Sequence, residues 1–224
     1  MIRAFALALS QLSDPPFRRL VLVGIGCSLL LLAGLAVAIS VLLAYAVPPG
    51  WEWASVPAAT FGGLAGLVLA WLLFPASSAL AAGLLGDRLA RAVERRHYPG
   101  TPEPRATGAA EGLGATLRLV SAGLLLNLLA IPIYLLMPGI NLVLFLLLNG
   151  YLISREYFES AAARRFPPGT ARDVRRRRRF GLWAGGLLLA GAMMVPGLNL
   201  FVPYLGFAAM VHLVERERIR QGAG

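Results

Sequence analysis

The sequence contains no lysine: all 21 of its basic residues are arginine. It has one cysteine, Cys27, so no disulfide can form within the chain. Charged residues make up only 14% of the 224, where a soluble domain carries about 25%. None of them falls inside four apolar blocks, Leu20–Val47, Trp53–Gly86, Leu119–Ser154 and Phe180–Val214. Each absence removes a class of function. Without intramembrane carboxylates there is no side-chain proton relay of the kind used by coupled pumps. Without a P-loop the chain cannot hydrolyse nucleotide by itself, and no GxSxG or HExxH pattern appears. The two histidines, His97 and His212, stand in different segments with no metal-ligand spacing around them. The chain is therefore expected not to be an enzyme, and to need no cofactor and no metal. The period-two alternation of a membrane β-barrel is also missing.

What is present is apolar length. Hydrophobic residues make up 58% of the chain, and each of the four blocks exceeds the roughly 18–20 residues that span a bilayer as helix. The expected fold is an all-α integral membrane protein. One membrane domain over residues 1–224 is expected, and the arginines set its topology. Segments 1–19, 87–118, 155–179 and 215–224 hold all of them, and the loop Pro48–Glu52 holds none. Basic residues flank spans on the cytoplasmic side, so both termini are expected there. Two long transmembrane helices, 20–47 and 53–86, go out and return. This rule also accounts for the net charge of +10 without nucleic acid as a partner.

The third and fourth blocks have arginine-rich segments at both ends, so each must begin and finish on one face. A straight helix of about 35 residues would be about 52 Å long, against a hydrocarbon core of about 30 Å. A hairpin resolves both facts. Pro138-Gly139 and Pro196-Gly197 are where blocks 119–154 and 180–214 would turn. Asn141 and Asn199 are expected to cap the arms that follow, because an Asn side chain can accept from an unpaired N–H of the first turn. Most arms are short, which predicts partial insertion. The segment REYFESAAARRF, 155–166, is helix-compatible and can carry one arm into the cytoplasm.

Residues 2–12 place Phe5, Leu9 and Leu12 on one helical face, as an interfacial amphipathic helix would. Gly62/Gly66 and Gly181/Gly185 have the spacing of close helix contacts, within one chain or between subunits. Asp87 and Arg91 are spaced for a pair along one helix face, and Pro75 is placed to kink the second block. The run Arg175, Arg176, Arg177, Arg178 and Arg179 reads as an orientation signal and a contact for anionic lipids.

The text LSDPPFRRLVLVGIG, the two P-G-[IL]-N turns and the exit REYFESAAARR resemble the CysZ family of bacterial sulfate transporters, within the broader etoposide-induced membrane-protein superfamily. The resemblance spans about residues 3–216. It implies two long transmembrane helices, two partially inserted hairpins, a homo-oligomer, and energy-independent uptake of sulfate or a related small oxyanion that feeds sulfur assimilation. It also implies an anion site at the start of the first span, at Pro16, Phe17, Arg18 and Arg19. Two arginines beside a helix start suit a dianion, since the guanidinium is a planar fork of donors and the first turn has free N–H groups. The family's glycine at that turn is Pro16 here, which removes one backbone donor. A second expectation from a different class is a membrane scaffold that binds lipid without transporting.

Overall fold

A computed structural model describes residues 1–47, 51–105, 138–195 and 197–222, with positions 121, 125, 126, 128, 129, 132 and 136 between them. Among the described residues there are eight α-helices and no strand. They are α1 (Ile2–Ser10), α2 (Pro15–Tyr45), α3 (Ser55–Leu84), α4 (Gly86–His97), α5 (Asn141–Ala163), α6 (Pro168–Arg177), α7 (Arg179–Met193) and α8 (Val202–Arg220).

Helix α2 begins with Pro15-Pro16, where a missing N–H costs nothing because first-turn donors have no partner within the helix. Its 31 residues extend about 46 Å, and it is long and apolar enough to cross a membrane. Val21, Gly24, Ile25, Ser28, Leu32 and Ala36 form its buried stripe. Around that stripe the surface is aliphatic, with Leu30 at 75% exposure and Leu42 at 68%. Helix α3 packs along α2 and runs through Pro75 as unbroken helix. Their contact depends on missing side chains: a Cβ on Gly66 would lie 2.7 Å from the Ala36 Cα, and one on Gly62 would lie 3.0 Å from the Ser40 Cα. The Gly62/Gly66 pair thus acts within the chain. Leu85 alone separates α3 from α4.

Helix α8 is the centre of the charged end of the bundle. It is buried nearly all round from Val202 to Glu215, as expected of a helix with neighbours on every side. Helices α1, α3, α4 and α5 all pack on it. Tyr204, Met210, Phe158, Leu89, Val93 and Phe17 are fully buried in this core. Helix α1 turns Ala4, Ala8 and Gln11 inward, leaving Ile2 and Leu9 exposed. Of the predicted apolar stripe, Phe5 and Leu12 are half-buried against this core and only Leu9 is left outside, because the small Ala4 and Ala8 shift the packed face toward themselves. Gly181 and Gly185 seat this same helix: a Cβ on Gly185 would lie 2.5 Å from the Met1 Cε and 3.1 Å from Phe5.

The tightest helix crossing is between α5 and α7. A Cβ on Gly186 would sit 1.9 Å from the carbonyl oxygen of Gly150. Helix α7 packs chiefly on α5 rather than on α8, its neighbour in sequence. Helix α5 continues past the apolar block through Ala163, so the charged exit is one helix with the arm. Of the first arm of block 119–154, only the scattered positions named above are described, and all are helical.

The two similar phrases MPGINL and VPGLNL fold differently. Pro138–Ile140 is a 3₁₀ turn that runs straight into α5. In the second phrase, Gly197 has φ +85°, a backbone that L side chains rarely adopt, and Leu198–Leu200 forms the 3₁₀ turn. Pro196 lies outside the described residues. The asparagines are not caps. The α5 N-cap falls on Ile140 and makes no side-chain bond, because the preceding turn moves Asn141 into the first helical position. Asn199 lies within the 3₁₀ turn and is buried, and the α8 N-cap falls on Phe201.

A methyl group at the α5–α7 crossing has nowhere to go, and overpacking of this kind costs typically 1–3 kcal/mol or more. Gly186→Ala is expected to lower the thermal midpoint in detergent by several degrees. Gly191→Ala, where a Cβ meets open space, should not. Equal midpoints for the two variants would refute the crossing.

Candidate functional site

The first turn of α2 carries the residues Pro16, Phe17, Arg18 and Arg19. Phe17 is fully buried in the core, while Pro16, Arg18 and Arg19 are exposed. Successive helix residues are about 100° apart, so burying Phe17 fixes the two guanidinium groups outward and side by side. Among the described residues neither arginine has an ion-pair partner. The buried Phe17 side chain can offer an anion nothing, but its backbone N–H is the first donor of the helix after two prolines. The turn is held from behind by Asp14, which pairs with Arg96 of α4 at 3.3 Å.

The other arginines have specific partners. Arg165 reaches Glu94 at 2.7 Å through one terminal nitrogen and Glu215 at 2.5 Å through Nε. Its remaining terminal nitrogen donates to the Pro102 carbonyl at 2.7 Å. Its side chain is 3% exposed and that of Glu215 1%. Arg164 binds Asp87 and lies 3.3 Å from Glu94. Arg218 takes the second oxygen of Glu215 at 2.7 Å, and Glu217 collects Arg178 at 2.5 Å and Arg220 at 3.4 Å. The knot ties α4, the 98–105 loop, the end of α5 and the end of α8 together. Sequence reading assigned Asp87 to Arg91 and missed the knot. The only visible signal was that acids stand beside the arginines in each arginine-rich segment.

Next to the knot is a cavity of about 500 Å³ between α3, α4, α5 and α8. Arg91, Arg105 and Arg164 line it together with Glu156 and Tyr157. A second carboxylate, Asp87, also lines it and is paired with Arg164, while burial raises the Glu156 carboxyl above its usual range and so weakens its charge.

The predicted run Arg175–Arg179 is divided by helical geometry. Arg175, Arg176 and Arg179 face a cleft against α5, Arg178 belongs to the knot, and Arg177 is exposed. Among the described residues no group of three potential metal ligands is found. Cys27 is exposed on α2.

The family model described as "Sulfate transporter CysZ/Etoposide-induced protein 2.4" matches residues 4–203. The chain belongs to this family. The match takes in α1 through the first turn of α8, including the Arg18-Arg19 turn and the α5–α7 crossing. No curated protein matches the chain. A CysZ-family chain is consistent with a transporter rather than a catalyst.

One histidine pair in this CysZ-family chain gives a test of the core around α8. The rings of His97 and His212 meet edge to face at 5.0 Å, and the Tyr98 hydroxyl lies 3.1 Å from Nδ1 of the buried His212. Burial first, and then the neighbouring Arg96 charge, hold the His97 imidazole below its ordinary range, against a smaller opposite pull from Asp14. The unfolded chain therefore binds more protons than the folded one below an ordinary histidine pKa of about 6.5, so stability rises with pH through that window and levels off above it. The thermal midpoint should fall between about pH 7 and pH 5, and His97→Asn should flatten that slope. Glu156 acts in the opposite sense in both proteins and cancels in the comparison. Identical slopes would contradict the assignment.

Proposed function

We propose that this protein is an energy-independent permease or channel for sulfate or a related small oxyanion in the bacterial inner membrane, feeding sulfur assimilation. The observation that carries it is the placement of Arg18 and Arg19, exposed and adjacent on the first turn of a long apolar helix in a chain of the sulfate-transporter family. A dianion there would take two charge-assisted hydrogen-bond sets and the favourable end of the α2 dipole. The Arg-lined cavity beside Glu156 gives an anion a second station near the cytoplasmic core.

In this reading α2 and α3 are the two full crossings and their exposed aliphatic residues meet lipid. Helix α7, with 15 residues, is about 22 Å long and penetrates only part of a core of about 30 Å. The single membrane domain keeps both termini in the cytoplasm, Pro138-Gly139 and Gly197 lie at the hairpin tips, and copies assemble as a homo-oligomer. Of the run Arg175–Arg179, the arginines outside the knot meet anionic lipid, while Arg178 stays paired with Glu217. The scaffold alternative draws on that run alone.

The test is uptake of labelled sulfate into proteoliposomes of zwitterionic lipid, driven by the sulfate gradient without nucleotide. Uptake should exceed that of empty vesicles. Arg18→Ala combined with Arg19→Ala should reduce sulfate binding by about tenfold or more, the scale of losing charged hydrogen bonds. Uptake no greater than in empty vesicles would overturn the transport reading.

A further inference from the structure

A cleft of about 700 Å³ opens between α5, α6 and α7, away from the Arg18-Arg19 turn in sequence. Five arginines line it: Arg155 from α5, Arg172, Arg175 and Arg176 from α6, and Arg179 from the start of α7. Against them the lining has one carboxylate, Asp173. Glu159 stands just behind, 2.9 Å from the Arg155 Nε and 3.6 Å from Arg175. Like charges gathered in a recess repel, most strongly where water is partly excluded, and the Arg155 side chain is only 11% exposed. A fold that keeps five guanidinium groups there has room and charge for a polyanionic ligand.

The same cleft has an apolar half. One turn from Arg155 on α5 stands Tyr151, and one turn from Arg179 on α7 stands Trp183. On both helices the lining changes from guanidinium to aromatic toward the apolar block. The indole is held in place by an Nε1–H donated to the Leu147 carbonyl at 3.4 Å, yet 38% of the residue stays exposed. The Gly150–Gly186 crossing closes the cleft beneath Ser154, whose Cβ would lie 2.8 Å from a Cβ on Gly186. A free inorganic ion would need only the cationic half. An amphiphile with a phosphate head needs both, with the phosphate on the arginine fork and the first acyl carbons on the aromatic rings.

We propose that this cleft is a binding site for a lipid phosphate: a phosphomonoester or multiply charged headgroup on Arg155, Arg172, Arg175, Arg176 and Arg179, with its chains over Tyr151 and Trp183. The site rests on the membrane placement proposed above and narrows its lipid contact from five consecutive arginines to a defined recess. It takes in Arg155 and Arg172 from outside the run and leaves out Arg177 and Arg178. It is independent of sulfate passage, so sulfate uptake by the same variants in zwitterionic vesicles separates failure of this site from failure of the transport reading.

The experiment is calorimetric titration of the full-length protein in non-ionic detergent with dioctanoyl phosphatidic acid, dioctanoyl phosphatidylcholine and inorganic phosphate. Phosphatidic acid should bind more tightly than either of the others. Arg172→Gln with Arg176→Gln should weaken it by about tenfold or more. Arg172 and Arg176 are exposed, so the fold should survive, as an unchanged elution volume would show. Arg177→Gln should leave binding unchanged, and Trp183→Ala should weaken phosphatidic acid without affecting inorganic phosphate. Binding that ignores the arginine pair overturns the site. Inorganic phosphate binding as tightly as the lipid, or phosphatidylcholine doing so, overturns the lipid-phosphate assignment.

Discussion

Arg165 is the residue on which the charged end of this protein's helix bundle depends. A guanidinium almost wholly removed from water is tolerable only beside opposite charge, and this one has Glu94 and Glu215 as ion-pair partners and a hydrogen bond to the Pro102 carbonyl. Those partners come from α4, α8 and the 98–105 loop, while Arg165 itself stands in the turn just after α5. One side chain thus joins helices whose residues are far apart in sequence, and Arg164, Arg218 and Arg178 extend the same joint. Hydrophobic packing around Tyr204, Phe207 and Met210 supplies the bulk of the attraction in this core. It is non-directional, so the register in which the helices meet is set by the paired charges.

The joint matters for the proposed function because the turn that carries Arg18 and Arg19 is assembled on it. Helix α4 enters the knot through Asp87 and Glu94, and through Arg96 it holds Asp14, the residue before α2. Phe17 is buried in the core shared with α8. The direction in which Arg18 and Arg19 point is thereby tied to the packing of distant segments. The same logic applies at α5 and α7. Their glycine crossing brings Arg155 toward Arg179, and neither helix alone has a cleft.

Much of the all-helical character was legible in the sequence, because apolar runs free of charge and strand alternation leave few alternatives. The continuation of α5 through 155–163 was also legible, as were the breaks near Pro138 and Gly197. The arginines were legible as an address and not as a structure. Their counts per segment concern a membrane face, whereas their partners depend on which helices pack, and Arg165 and Glu215 lie fifty residues apart. The asparagine caps failed for a local reason: a 3₁₀ turn before each helix shifts the capping position by a residue or more. Small residues were legible in part: Gly62, Gly66 and Gly185 do seat close neighbours, yet the tightest crossing among the described residues uses Gly150 and Gly186, which no single-segment pattern can pair.

The central claim is that Arg165 and Glu215 act as one unit in setting how α5, α4 and α8 meet. A double-mutant cycle on thermal unfolding in detergent tests it, with Arg165→Met, Glu215→Met and both together. Each single change leaves a buried charge less well paired and should cost on the order of 3–5 kcal/mol. The pair should cost clearly less than the two single costs combined, with a coupling above about 1 kcal/mol. Additive losses would contradict the account.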